Sequence, residues 1–226
     1  MHETSQRRTS ETSVNHIERL RRRSSSPPPY RGGGRFILIG SSTGGVDALM
    51  KIISHFSKKC PPTLIVQHTG GVFAKSLIRL LDGATEANVG AATDGAELKV
   101  GNIYLAPNDT AHLCIAAGNM PRISLRNTTD SYGHRPSVNA LFESAVPFAR
   151  QVTAVILTGM GRDGATGMVA LRKAGAQTFG QDEQTSVVYG MPKVAYDLGG
   201  VETQLPLSKI GPMLLQAASK GNRDDS

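Results

Sequence analysis

Short, unbroken apolar runs recur along this chain, and each is followed by a glycine-rich turn and then by apolar residues at helical spacing. "RFILIG" precedes "GVDALMKIISHF", in which Val46, Leu49, Met50 and Ile53 share a face, and "PTLIVQH" precedes the amphipathic "VFAKSLIRLLDG". Later "SVNALFESAVPFA" reads as a helix, "VTAVILTGMG" as a strand, "ATGMVALRKAG" as a helix closed by glycine and "AQTFGQ" as a strand. "MPKVAYDLG", a strand-like "VETQLP" and a closing helix "LSKIGPMLLQAAS" complete the pattern. Strands that are apolar on both faces and alternate with helices imply an α/β fold, a mostly parallel doubly wound sheet flanked by helices. Between them, "NIYLAP", "HLCIAAG" and "RISLRN" are joined by turn signals and suggest an antiparallel hairpin at one edge.

The 226 residues suit one well-buried domain. Residues 1–34 are poor in large apolar side chains and end in "SSSPPPYRGGG", so they read as a disordered basic tail or linker, with an ordered domain over 35–226. The first 35 residues hold eight arginines against three glutamates, which is +5 of the total charge of +7. A basic arm on a near-neutral domain, without interleaved aromatics, argues against a nucleic-acid groove. No apolar run approaches the ~18 residues of a membrane span and no signal peptide is present, which points to the cytoplasm. Cys60 and Cys114 form no CxxC motif and are expected to be buried free thiols. The six histidines lack metal-site spacing, so neither a metal nor another cofactor is expected. Two nucleotide motifs also fail: Ser42 stands where GxGxxG needs glycine, and Val46-Asp47 where a P-loop needs lysine and a hydroxyl.

In parallel sheets, ligands and catalytic groups collect beyond the carboxyl ends of the strands. Three such ends carry "GSSTGG", "QHTGG" and "TGMGRDGATG", and so offer a hydroxyl, a histidine and an aspartate. Those are the three groups of a triad: serine is a weak nucleophile until an imidazole takes its proton, and a carboxylate orients the imidazole. Each also has an ordinary reading. Thr43 or a neighbouring serine can cap the next helix, His68 can be a hydrogen-bonded structural residue, and Asp163 can cap the helix that follows it. Spacing alone does not choose between Ser41 and Ser42.

The strings "IGSSTGG", "VQH", "IYLAPNDTAHL", "RPSVNALFES", "ILTGMGRDGATGM" and "DEQTSVVYGMPKVA", in that order, resemble the catalytic domain of the chemotaxis protein-glutamate methylesterases, the CheB family, from about Arg35 to Met213. The resemblance implies a serine hydrolase that removes methyl from γ-glutamyl methyl esters on the cytoplasmic helices of chemoreceptors, releasing methanol, and that in many members also deamidates receptor glutamines. It assigns Ser42, directly before "TGG", as nucleophile, His68 as base and Asp163 as the orienting acid. The backbone amide of Met160 is the implied oxyanion donor, with an amide near Gly44 and Thr43 as supporting groups.

Four departures from the family pattern stand out. "HTGGVFAKSL" replaces the usual residues after the histidine, Asn139 stands where an aspartate is usual, and "DEQTSVV" is also variant. Asn139 and the variant "DEQTSVV" are expected to bear on substrate fit more than on the triad, and the altered loop on the contact with the receptor helix. The ~34 residues before the domain are too few for the family's phosphorylated receiver domain. The altered loop and the missing receiver motivate a second reading, a non-catalytic or retargeted signalling module of the same fold.

Overall fold

A computed structural model describes residues 34–69, 73–107, 110–127 and 133–219. Apart from Gly34, the basic tail therefore lies outside the described residues, as do Gly70, Gly71 and Val72 of the departing loop.

Seven strands form one sheet: β1 (Phe36–Ser41), β2 (Thr63–Gln67), β3 (Asn88–Ala91), β4 (Asn102–Leu105), β7 (Val152–Ile156), β8 (Gln177–Gln181) and β9 (Thr203–Leu205). Their order is β3-β4-β2-β1-β7-β8-β9, and every pair is parallel. The remaining two strands, β5 (His112–Ile115) and β6 (Ile123–Arg126), make the expected antiparallel hairpin. It is a separate sheet rather than an extension of the main one, and the "NIYL" segment grouped with it by sequence is instead β4, inside the parallel sheet. β3 carries only Val89 as a buried residue, too little apolar signal to be read as a strand.

Each strand residue of β1 and β2 is buried, because both faces of the sheet are covered. Phe36 and Leu38 point into one core layer, with Val138, Leu141 and Phe142 of α3 (Val138–Ser144) and Met168 and Leu171 of α4 (Ala165–Lys173). Ile37 and Ile39 point into the opposite layer, against Leu49 and Ile52 of α1 (Gly45–Ile53), Leu77 and Leu81 of α2 (Ala74–Gly83) and Ile210 and Leu214 of α6 (Leu207–Ser219). The remaining helix, α5 (Met191–Asp197), adds Met191 and Ala195 to the first layer. At ~1.5–3 kcal/mol per fully buried aliphatic or aromatic side chain, this double alternation explains why the strands read as continuous apolar runs. Cys60 and Cys114 are buried and form no disulfide, and burial pushes the Cys60 thiol up to about 11, so it stays protonated and inert.

After β1 the chain builds outward through β2, while β7 lies on the other side of β1 and leads out through β8 to β9. The sheet therefore switches direction between β1 and β7. Such a switch opens a crevice beyond the carboxyl ends of the strands, where α/β proteins seat their ligands.

Candidate active site

The three chemistry-bearing tails belong to β2, β1 and β7, which are consecutive in the sheet. The ladder continues one step past the strands: the Ser42 N–H donates to the Thr158 carbonyl at 3.0 Å and the His68 N–H to the Ser41 carbonyl at 3.0 Å. With Ser41 paired to Gln67, Ser42 and His68 come next on adjacent strands.

Strand alternation sends the two serines to opposite faces. Ser41 is fully buried beneath α1, and its Oγ donates to Gln67 Oε1 at 2.7 Å. Gln67 Nε2 in turn donates to the carbonyls of Ser42 and His68, at 2.9 and 3.1 Å. The Ser41 hydroxyl is thus committed to holding β1 and β2 together, whereas Ser42 is partly exposed and its Oγ makes no hydrogen bond among the described residues. Neither serine caps α1, and nor does Thr43: the cap is Gly44, at φ +80°, with no side-chain bond. This positive φ is favourable only for glycine and lets the chain turn straight from strand into helix.

His68 Nε2 lies 2.8 Å from Asp163 Oδ2. Asp163 does not cap the helix that follows it, since Gly164 occupies that position. Its carboxylate instead receives the amino end of α3: Oδ2 accepts from the Val138 N–H at 2.7 Å, and Oδ1 from the Asn139 N–H at 3.0 Å and Ser137 Oγ at 2.8 Å. Burial alone would raise the Asp163 pKa, but the bonds from His68, the Asn139 and Val138 amides and Ser137 outweigh it and hold the carboxyl below its ordinary value. An ionised carboxylate only accepts, so Nε2 carries the hydrogen of this bond. In neutral His68 the lone pair is then on Nδ1, which is buried and has no partner. No hydrogen bond joins Ser42 to His68 among the described residues; such bonds commonly tighten only when substrate is seated.

The "TGMG" turn runs along the other flank of Ser42. A Cβ on Gly159 would stand 2.7 Å from Ser42 Cβ, so only glycine permits this approach. Met160 follows with its side chain exposed, and the N–H groups of Thr43, Gly44 and Met160 donate no hydrogen bond among the described residues. Thr158, which sequence reasoning passed over, anchors this arrangement. Its Oγ1 donates to the Thr43 carbonyl at 2.9 Å and accepts from the Val188 N–H at 2.9 Å, while its own N–H donates to Gln181 Oε1 at 2.9 Å. Gln181 Nε2 then donates to the Thr185 carbonyl at 2.7 Å, tying the variant "DEQTSVV" segment through Thr158 to the turn after Ser42.

Asn139, expected to bear on substrate fit, joins α3 to α4: its Oδ1 accepts from Thr166 Oγ1 at 3.0 Å and the Gly167 N–H at 2.9 Å. Ser137, Val138 and Asn139 were legible as a helix start, but nothing in their spacing tied them to Asp163. Among the described residues, no group of three His, Cys, Asp or Glu side chains is placed to hold a metal ion. No described helix is long and apolar enough to cross a membrane.

The family model for the CheB methylesterase matches residues 37–214. Protein-glutamate methylesterase/protein-glutamine glutaminase proteins of Rhizobium etli and Agrobacterium fabrum are 50% and 51% identical over 183 residues, covering 80% of this chain and 53% and 52% of theirs. The chain therefore spans about half the length of the curated relatives it matches. The crystal structure of a Thermotoga maritima CheB methylesterase catalytic domain superposes with a TM-score of 0.77 at 38% identity, over 81% of this chain and 98% of that one. A seven-stranded parallel sheet that switches direction at Ser42, matched over nearly its whole length by the family model and by a solved catalytic domain, places this chain in the CheB methylesterase family.

Proposed function

We propose that this chain is a serine hydrolase that demethylates γ-glutamyl methyl esters on the cytoplasmic helices of chemoreceptors. The observation that carries this reading is the His68–Asp163 pair, 2.8 Å apart, standing one strand over from the partly exposed Ser42. Membership of the CheB family supplies the substrate class. Ser42 Oγ attacks the ester carbonyl carbon as His68 Nδ1 takes its proton, while the Nε2–H keeps donating to Asp163, whose carboxylate stabilises the imidazolium. The oxyanion is met by backbone N–H groups beside the nucleophile, those of Met160 and of Thr43 or Gly44. Return of the proton from Nδ1 to the departing oxygen releases methanol and leaves a γ-glutamyl ester on Ser42. Water, deprotonated by the same nitrogen, then frees the glutamate. A glutamine side chain follows the same route with ammonia as leaving group, which extends the proposal to deamidation.

The deciding experiment is methanol release from a methylated receptor fragment. Ser42→Ala is expected to lower kcat on the order of 10⁴-fold or more while the thermal midpoint holds; an unchanged rate rejects Ser42 as nucleophile. If a serine-directed phosphonate fails to label wild-type Ser42, the chain is instead a module that binds without turnover.

A further inference from the structure

His134 lies outside the proposed triad, yet its imidazole stacks on that of His68 with ring centroids 4.3 Å apart and planes 19° from parallel. The two rings, with Thr69, Arg135 and Pro136, line a cleft of about 250 Å³. His134 stands three residues before Ser137 on one short segment. That segment therefore both clamps Asp163, through Ser137 Oγ and the amides of Val138 and Asn139, and lays a ring over the base that Asp163 orients. Pro136 and Ser137 are buried and anchor the segment, while His134 itself faces the cleft and is exposed.

One in-plane hydrogen bond fixes the position of His68 Nε2 but leaves the ring able to swing about that contact. A second ring lying flat against its face removes this freedom and keeps water off one side of the imidazole. Parallel aromatic contacts of this separation are attractive and directional. Nδ1, with no bond of its own, depends on the plane of the ring to stay aimed into the protein.

We propose that His134 is a positioning residue for the general base: its ring, stacked on His68, holds the imidazole plane and shields the Nε2–H bond to Asp163. This rests on the reading of His68 as base given above. The test compares wild type, His134→Ala and His134→Phe, the last of which keeps a flat ring without its nitrogens. Proton NMR reads the solvent exchange of the His68 Nε2–H, and methanol release from a methylated receptor fragment reads kcat and KM separately. Loss of the stack in His134→Ala should speed exchange about tenfold and lower kcat about tenfold, with KM and the thermal midpoint unmoved, and His134→Phe should restore most of both. Exchange or kcat in His134→Ala equal to wild type overturns the proposal, as does a folded His134→Phe no better than His134→Ala. If wild type itself releases no methanol, the methylesterase reading falls, and the exchange comparison still decides whether His134 holds His68.

Discussion

Asp163 accepts four hydrogen bonds, from one imidazole, one hydroxyl and two helix-end amides, and this saturation makes its charge a structural asset as well as a chemical one. Asp163→Asn replaces an all-acceptor group by one that must also donate, so it both loosens the amino end of α3 and permits the wrong tautomer of His68. A fall in kcat on the order of 10⁴-fold is expected. The pH dependence follows from the depressed pKa of the folded state. A carboxyl more acidic in the folded chain than its unfolded value of ~3.9 stabilises the fold fully above that value, and the contribution is lost as pH falls through the folded pKa. Urea midpoints of wild type and Asp163→Asn should therefore differ by a constant amount from neutrality down to about pH 4 and converge below it. A gap that keeps its full size on further acidification would mean that ionisation of Asp163 does not stabilise the fold. At this scale the residue types were legible in the sequence and their partners were not. The aspartate in "GRDG" looked like an ordinary cap, and it does cap a helix, but one that begins 25 residues earlier in the chain and meets it only through the fold.

Among the elements, the Ser42–Gly44 turn and the "TGMG" turn are held as one unit, with Thr158 bonded to both Ser42 and Thr43 and Gly159 pressed against Ser42. The alternating pattern made the strands and helices legible because burial on both faces demands continuous apolar runs. It failed where that demand is weak. β3 has a single buried residue, β4 is short and looks like the hairpin beside it, and no sequence pattern reports which strand ends become neighbours. The contact of Gly159 with Ser42 is such a neighbour effect, and it sets a sharp expectation. Gly159→Ala drives a methyl against Met191 Sδ and to 2.7 Å from Ser42 Cβ; the end of the methionine side chain can give way, whereas the clash with Ser42 is relieved only by a shift of the serine or of its own turn. A displacement of that kind, on the order of 1 Å, costs about a hundredfold in kcat. Phosphonate labelling of Ser42 should slow in parallel, and a variant that is folded and labels at the wild-type rate would show that the "TGMG" turn relaxes away from Ser42 instead.

For the whole molecule, most of the net positive charge lies ahead of the sheet that carries the candidate site. The match to the family model begins at residue 37, one residue into β1, and the first 35 residues carry +5 of the net +7. A chain whose sheet, core layers and site are all built from residues beyond 35 should not need that segment to fold or to react. Removal of residues 1–34 is therefore expected to leave the urea midpoint and the rate of methanol release at their full-length values. What should change is behaviour toward polyanions. Retention on heparin at low salt should fall to that of a near-neutral domain, because the salt-dependent part of such binding scales with the number of cationic side chains engaged. A lowered urea midpoint in the shortened chain would mean that the arginine-rich segment packs on the domain. Unchanged retention would place the polyanion-binding surface on the folded part, against what the near-neutral charge of residues 36–226 leads one to expect.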